Sequence, residues 1–463
     1  MTIELYPFQK EGVEAMLDKP YFLLADEMGL GKTVQAVDEL RRYGPDKVLI
    51  VCPKTPRTVW EDHLEGVMPT LMLDGPTRER FEEYDGGACI INYDALRLLP
   101  DLRFVGAWDY VIADEAHAIK NRNAKRTKHL KRIKASHRRA LTGTPIINRP
   151  DELWSILHWL DSKRWSSYWR FFETYVKYVD SGYGYKIVIG PKNVDELRRE
   201  LEGIHIRRLK RDVLTELPDK TYQYLKLDLT PKQSKAYDQM KKRSLAWIDQ
   251  EPDDKPLPAP VVISQFTRLR QFSDSYCRID DCVLCDGSGV GSGPDSKCKR
   301  CRGSGIKVTM EEPSNKIDAL MELADEGEPL VVFSQFKQLI NLAAKTLSHR
   351  GIPSYVLTGD TSTENRRKFI DEFRRGEGAG VFLAQIDAGG VGIDGLQERA
   401  TTCVFLDRSY SPAINAQAED RLHRHGQKNA VNVIIMQSIG TIDMAVETKL
   451  DRKKSWIKSI IGL

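Results

Sequence analysis

Tyr21-Phe22-Leu23-Leu24-Ala25-Asp26-Glu27-Met28-Gly29-Leu30-Gly31-Lys32-Thr33 reads as a buried strand running into a glycine-containing loop, and the helix-like run Val34 to Tyr43 follows it. Strand, loop and helix with Gly-Lys-Thr at the junction is the setting of a phosphate-binding loop. Gly29 and Gly31 allow a tight turn in which successive N–H groups face one anion. The N-terminus of the following helix adds a positive dipole end. Lys32 is expected to reach the β- and γ-phosphates of a nucleotide, and the Thr33 hydroxyl to hold Mg²⁺. The alternative, a chance Gly-Lys-Thr turn on the surface, does not account for the strand before it and the helix after it.

Working outward, short apolar runs alternate with helix-like or loop segments: Lys47–Cys52, Ala88–Tyr93, Tyr110–Ala113 and Arg139–Thr142. Such a pattern predicts parallel strands buried on both faces in an α/β sheet. Functional loops are then expected at the carboxyl ends of the strands. Asp114-Glu115 sits at one of those ends. A carboxylate opposite Thr33 supplies Mg²⁺ with an oxygen ligand, a role that suits Asp114. Glu115 is placed to polarise an attacking water as general base.

A second set of strand candidates, Leu330–Phe333, Ser354–Leu357, Gly380–Ala384, Thr402–Leu406 and Val431–Met436, carries no phosphate loop of its own. It is followed in part by Arg421 and Arg424, three apart and so on one face of a helix. The guanidinium fork suits phosphate oxygens, although a basic solvent face reads the same way on spacing alone. From Lys120 to Arg139 the chain has many Lys and Arg and no Asp or Glu, which reads as a solvated helix face.

Cysteines divide into two groups. Cys52, Cys89 and Cys403 stand singly in apolar runs and read as reduced core residues. Cys282-x-x-Cys285 and Cys298-x-x-Cys301, each followed by x-Gly-Ser-Gly, have the spacing of two knuckles around one tetrahedral ion, a structural Cys₄ zinc site. Cys277 is a poorer-spaced competitor. The formal net charge of +4 is too small to argue for nucleic acid by itself, and no apolar run is long enough to span a bilayer. A soluble, intracellular protein with no membrane partner is expected, cytoplasmic in a bacterium, an archaeon or one of their viruses, and nuclear in a eukaryote.

The phosphate loop, Asp114-Glu115-Ala116-His117 and Leu141-Thr142-Gly143-Thr144-Pro145 together resemble motifs I to III of helicase superfamily two. Asp26-Glu27-Met28-Gly29-Leu30-Gly31-Lys32-Thr33, Ile119-Lys120-Asn121 and Ile206-Arg207-Arg208-Leu209-Lys210-Arg211 resemble more narrowly the SWI/SNF-type ATPases. So do Val332-Phe333-Ser334-Gln335 (motif IV), Gly389-Gly390-Val391-Gly392-Ile393 (motif V) and Gln417-x-x-x-Arg421-x-x-Arg424-x-Gly426-Gln427 (motif VI). This chain departs from the family's wording at Ile147 in motif III, at Tyr410-Ser411-Pro412 before motif VI, and at Asp394, where Asn is usual.

The resemblance implies an α/β fold of two RecA-like lobes with parallel sheets, helical protrusions and a small Cys₄ zinc insertion. The first, ATP-binding lobe is expected over 1–225 with its protrusion over 151–208, where the pattern is helical and Trp154, Trp159, Trp165, Trp169, Phe171 and Phe172 read as an aromatic core. The second is expected over 226–463, with the insertion near 277–305. It implies a monomeric, DNA-dependent ATP hydrolase that translocates on double-stranded DNA, uses ATP, Mg²⁺ and Zn²⁺, and acts on protein–DNA complexes. No histone-reading or chromatin-spacing segment is evident in these 463 residues, so a minimal translocase is expected rather than a nucleosome remodeller. Gln9 would read adenine, and Asp26, Glu27, Met28, Gly29, Leu30, Gly31, Lys32, Thr33 and Gln427 would line the nucleotide. Lys32, Asp114, Glu115, Arg421 and Arg424 would carry catalysis. Pro53, Lys54, Asn92, Tyr93, Ser334, Gln335, Gly389 and Gly390 would touch DNA. The rival expectations are a strand-separating DNA or RNA helicase and a non-enzymatic, zinc-bearing DNA-binding protein.

Overall fold

The computed structural model describes residues 4–461 apart from 55, 74–83, 98–106, 182–185, 250–258, 294–295, 302 and 387–393. Two compact units divide the chain: Met1–Leu217 with Ser411–Ala413 and Asp451–Leu463, and Pro218–Tyr410 with Ile414–Leu450. Each is a RecA-like lobe built on a parallel sheet.

The first sheet contains β1 (Tyr21–Leu24), β2 (Lys47–Cys52), β3 (Thr70–Met72), β4 (Gly87–Asn92), β5 (Trp108–Asp114) and β6 (Ala135–Leu141). Further on come the hairpin strands β7 (Val176–Asp180) and β8 (Lys186–Pro191), then β9 (His205–Ile206), which returns to the sheet edge. The order is β3-β4-β2-β5-β6-β1-β9. Alternation along each strand feeds two cores. Leu49 and Val51 join Leu23, Ile91 and Val111 on one face, while Val48, Ile50 and Cys52 join Phe22, Ile90 and Trp60 on the other. With both faces covered, polar side chains are excluded from the strand centres, which is why these strands read as continuous apolar runs.

Three expectations in this unit need correction. The segment 151–208 is not helical throughout, because β7 and β8 pair as an antiparallel hairpin between helices Tyr168–Tyr175 and Val194–Leu201. Its aromatic core holds for Trp154, Trp159, Trp165, Phe171 and Phe172, but Trp169 is 57% exposed. The basic run is not a solvated face along its length either. Arg139 lies on β6 with no exposed surface, in an ion pair of 2.5 Å with the equally buried Glu39, and Lys131 lies 4.6 Å from the Trp154 ring centroid. Burial pushes the Lys131 ammonium down to about 8.

In the second unit the sheet is β10 (Lys220–Leu227), β13 (Leu330–Ser334), β14 (Ser354–Leu357), β15 (Val381–Gln385), β16 (Thr402–Phe405) and β17 (Val431–Ser438), ordered β10-β17-β16-β13-β15-β14 and parallel throughout. Between β10 and β13 the antiparallel pair β11 (Tyr276–Asp281) and β12 (Ile306–Glu311) stands apart from the sheet. The boundary expected at 225/226 falls inside β10, which pairs along its whole length with β17.

Candidate functional site

Strands β5, β6 and β1 are neighbours in the first sheet, so their carboxyl ends bring Asp114, Thr142–Pro145 and the Asp26–Thr33 loop side by side. Gly29 and Gly31 take φ of 82° and 70°, a region that costs other residues about 1 kcal/mol or more. A side chain at Gly31 would also collide with Gln9 Nε2. Gln9 packs on the loop itself: Nε2 donates to the Leu30 carbonyl (3.2 Å) and Oε1 accepts from Tyr6 N (3.0 Å). Gly143 closes the other side, where an added Cβ would sit 2.7 Å from Met28 Cγ.

Lys32 Nζ donates to the loop's own carbonyls at Asp26 (2.8 Å) and Glu27 (3.2 Å). Burial lowers its pKa, against the opposing fields of Glu115, Asp26 and Asp114. The two oxygens of Asp114 accept from Trp60 Nε1 (2.9 Å) and Glu115 N (2.9 Å), and Tyr93 donates to its carbonyl (2.7 Å). Burial, reinforced by the charge of Glu115, raises the Asp114 carboxyl to about 6. Glu115 takes a left-handed backbone, φ 50°, and its carboxylate lies 3.2 Å from His117 Nδ1, which also contacts Thr142 Oγ1 at 3.3 Å. Two neighbouring carboxylates with the half-buried Thr33 and Lys32 make a donor set that fits a Mg²⁺–triphosphate.

Of the loop residues expected to line the nucleotide, Glu27 accepts from Lys210 N (2.7 Å), and Asp26 is the most heavily committed elsewhere. It is fully buried and accepts from Arg208 N (3.1 Å), Arg208 Nε (3.0 Å), Arg208 Nη2 (2.5 Å) and Gln35 Nε2 (3.1 Å). Sequence reasoning missed this brace, as it missed Trp60, because the partners are far away along the chain. The only hint was the unusual acid at the first loop position.

In the second unit, Arg421 and Arg424 both meet one carboxylate, Asp394, Arg421 at 3.7 Å. The acid that stands where Asn is usual in motif V therefore pairs with both arginines of motif VI and offsets part of their charge. Gln427 is bonded within its own unit. It is buried, donates to the carbonyls of Gln397 and Ala400 (both 3.2 Å), and accepts from the backbone at Lys428 and Asn429.

Several expected DNA contacts are likewise spent internally. Asn92 caps its own turn by accepting from Asp94 N (2.9 Å) and Ala95 N (3.0 Å), and Tyr93 is buried on Asp114. Ser334 is fully buried and donates to Asp407. Gln335 is half-buried and takes a 2.8 Å bond from Arg270. Pro53 is half-buried and Lys54 exposed beyond β2. Gly389 and Gly390 lie outside the described residues.

Sulfurs of Cys282, Cys285, Cys298 and Cys301 all lie within 4.8 Å of one another. Gly289 N and Gly305 N donate to the Cys285 and Cys301 sulfurs at 3.2 and 3.3 Å. Four converging thiols with backbone donors fit a tetrahedral Zn²⁺. Cys277 is outside this group, buried on β11 opposite Met310.

The chain matches the SNF2-related domain over residues 8–291 and the helicase conserved C-terminal domain over 315–426. It is 28% identical to chromodomain-helicase-DNA-binding protein 1 of Gallus gallus, over 93% of this chain and 25% of that one. It is 28% identical to an uncharacterized ATP-dependent helicase of Mycoplasma pneumoniae (95% and 40%) and 26% identical to a putative ATP-dependent helicase/translocase of Bacillus subtilis (99% and 49%). The chain thus spans a quarter to about half the length of these curated relatives. The solved Sulfolobus solfataricus SWI2/SNF2 ATPase core in complex with dsDNA is 25% identical, with a TM-score of 0.44 over 100% of this chain and 93% of that one. With the SNF2-related match covering more than half of its 463 residues, this chain belongs to the SNF2-related family.

Proposed function

We propose that this chain hydrolyses ATP and uses the energy to translocate on double-stranded DNA, remodelling DNA or protein–DNA complexes. The observation that carries the reading is the Asp114–Glu115 pair and Lys32, set at the carboxyl ends of β5 and β1 on either side of β6. In this reading Lys32 leaves the carbonyls of Asp26 and Glu27 for the phosphates, Gln9 borders the base, and Glu115 draws a proton from water. Thr33 and Asp114 would hold Mg²⁺, which when bound offsets charge on the phosphates. Arg421 and Arg424 would give up Asp394 for phosphate oxygens. Zn²⁺ held by the four cysteines serves structure, because four thiolates leave no open position.

The deciding experiment is the ATPase rate at fixed moderate salt with duplex DNA, single-stranded DNA, duplex RNA or no nucleic acid. Stimulation by duplex DNA supports the proposal. Preference for single strands or RNA would replace it with a strand-separating helicase, and no turnover under any condition with a binding-only protein.

Two predictions follow from local charge. Asp114 titrates near 6, so a proton competes with Mg²⁺ below that pH and not above it. Mg²⁺ affinity in the presence of ADP should be flat above pH 7 and fall by about tenfold per unit below 6. Calorimetry at pH 7.5 and 5.5 checks this, and equal affinities would refute it. Asp394→Asn removes the anion that competes for Arg421 and Arg424. Asp394 is 64% exposed, so the gain is modest: ATP kcat/KM should rise about two- to fivefold, the range of a solvent-screened ion pair. A fall in kcat/KM would contradict the competition.

A further inference from the structure

Residues 276–311 form an arm with a fixed root and a cationic tip. Strands β11 and β12 pair over six residues each, from Tyr276 opposite Glu311 at the root to Asp281 opposite Ile306 at the far end. At ~3.4 Å per residue this carries the tip about 17 Å from the root. Inward-facing Cys277, Val308 and Met310 share the second unit's core with Leu339, Ile340 and Ala343. Gln338, on helix Lys337–His349, accepts from Met310 N (2.9 Å) and donates to the Val308 carbonyl (3.2 Å). Thr346 on the same helix donates to Glu312 (2.8 Å). The arm is therefore bonded to the helix that begins two residues after Gln335. At the tip the knuckles brace the two strands. Cys282 N donates to the Gly305 carbonyl (2.8 Å), and Cys298 N to the Gly289 carbonyl (2.9 Å).

Charge is segregated between the knuckles. Asp280, Asp281 and Asp286 surround the first, whose two central residues, Val283 and Leu284, are 77% and 63% exposed. The second carries Lys297, Lys299, Arg300 and Arg302, with no acid between Ser296 and Ile306. Lys297, Lys299 and Arg300 are exposed and take part in no ion pair among the described residues. Lower on the arm, Arg278 is tied to Glu311 (3.0 Å) and Asp280 (3.5 Å). The four cysteine sulfurs and the backbone donors to them fix the turn that carries Lys297, Lys299 and Arg300, and no carboxylate among the described residues competes with a polyanion for them. The acidic first knuckle repels that polyanion and orients the arm toward it by one face only.

We propose that the second knuckle is a phosphate-backbone contact for duplex DNA, held by the hairpin at a fixed offset from Gln335. The inference rests on the DNA-motor reading above and adds to it a binding site on the insertion. Because the contact is to phosphates, it carries no sequence preference.

The test is equilibrium binding of a labelled random-sequence duplex to the full chain across a salt series. The parent is compared with the triple variant Lys297→Gln/Lys299→Gln/Arg300→Gln, with Lys299→Gln alone, and with Val283→Ser/Leu284→Ser, and bound zinc is measured for each. Each lost phosphate contact flattens the slope of log K against log salt by ~0.9. The triple variant should lose about 2–3 units of slope and bind about tenfold or more weakly near 150 mM salt, with one zinc retained per chain. Lys299→Gln alone should lose about one unit, which keeps the test decisive if the triple variant sheds its metal. An unchanged slope in a zinc-loaded cation variant overturns the proposal, and Val283→Ser/Leu284→Ser, which removes no cation, should leave the slope at the parent's value. A parent that binds no duplex at all would instead sink the underlying motor reading.

Discussion

Glu115→Gln is expected to bind ATP and fail to turn it over: kcat should fall about 10²–10⁴-fold, the usual contribution of a positioned general base, with nucleotide affinity kept or slightly improved. Gln preserves the volume of the side chain and can still meet His117, 3.2 Å away. What it removes is the proton acceptor and one negative charge. That charge is the second-largest influence raising Asp114, after burial, and it supports the Lys32 ammonium. Its loss eases anion repulsion at the phosphates, so ground-state binding does not suffer. The left-handed backbone at Glu115, φ 50°, is a strained setting for a non-glycine residue. Nucleotide binding by fluorescence, beside steady-state turnover with duplex DNA, separates the two effects. A kcat within tenfold of the parent would remove Glu115 from the role of base and move attention to His117.

How much of this was legible depended on how local each feature is in the chain. Leu49-Ile50-Val51 announces a central parallel strand because both of its faces are covered. Lys220-Thr221-Tyr222-Gln223-Tyr224-Leu225-Lys226-Leu227 does not, because it is an edge strand with one side of its backbone and most of its side chains toward solvent. Lys32, Thr33, Asp114 and Glu115 were readable for a similar reason. Each stands beside the strand that positions it, so the motif and its context occupy one short stretch. Trp60 and Arg208 meet Asp114 and Asp26 across 54 and 182 residues, and no local pattern encodes such a pairing. The internal bonds of three expected contact residues share another cause. Asn92, Ser334 and Gln427 have the donors and acceptors that suit a ligand, but residue type does not say which way a hydrogen bond is spent. In all three cases a nearby backbone group or buried carboxylate takes it.

Asp26→Ala should be strongly damaging to the first lobe. Removing one partner of a buried ion pair leaves the other charge uncompensated, at a cost of about 3–5 kcal/mol. Here the remaining partner is Arg208, whose side chain is 13% exposed and whose Nε and Nη2 both rest on Asp26. It would keep only the Phe8 carbonyl and the Gln35 amide, and Gln35 would itself lose an acceptor in a fully buried position. No side chain can step in from the helix opposite, because at Gly12 a Cβ would fall on the Gln35 amide oxygen and the Arg208 guanidinium. The damage should extend into the site. Arg208 belongs to the segment that is sewn to the phosphate loop at Glu27, which donates to the Arg208 carbonyl (2.9 Å) and accepts from Lys210 N (2.7 Å). Losing the brace therefore loosens the loop that presents Lys32. The expected readouts are a melting temperature lower by about 10 °C, the scale of several kcal/mol in a lobe of this size, and a weakened affinity for ATP. Charge and cavity can be told apart with Asp26→Ala/Arg208→Met. If the isolated guanidinium is the cause, the double variant should recover most of the stability, since well-packed apolar replacements of buried ion pairs are often neutral. If the double variant is no more stable than Asp26→Ala, the lost packing around Gly12 and Gln35 dominates. A melting temperature unchanged in Asp26→Ala would mean that the pair contributes nothing net and that the loop is held by its glycine turns, Gln9 and the bonds of Glu27.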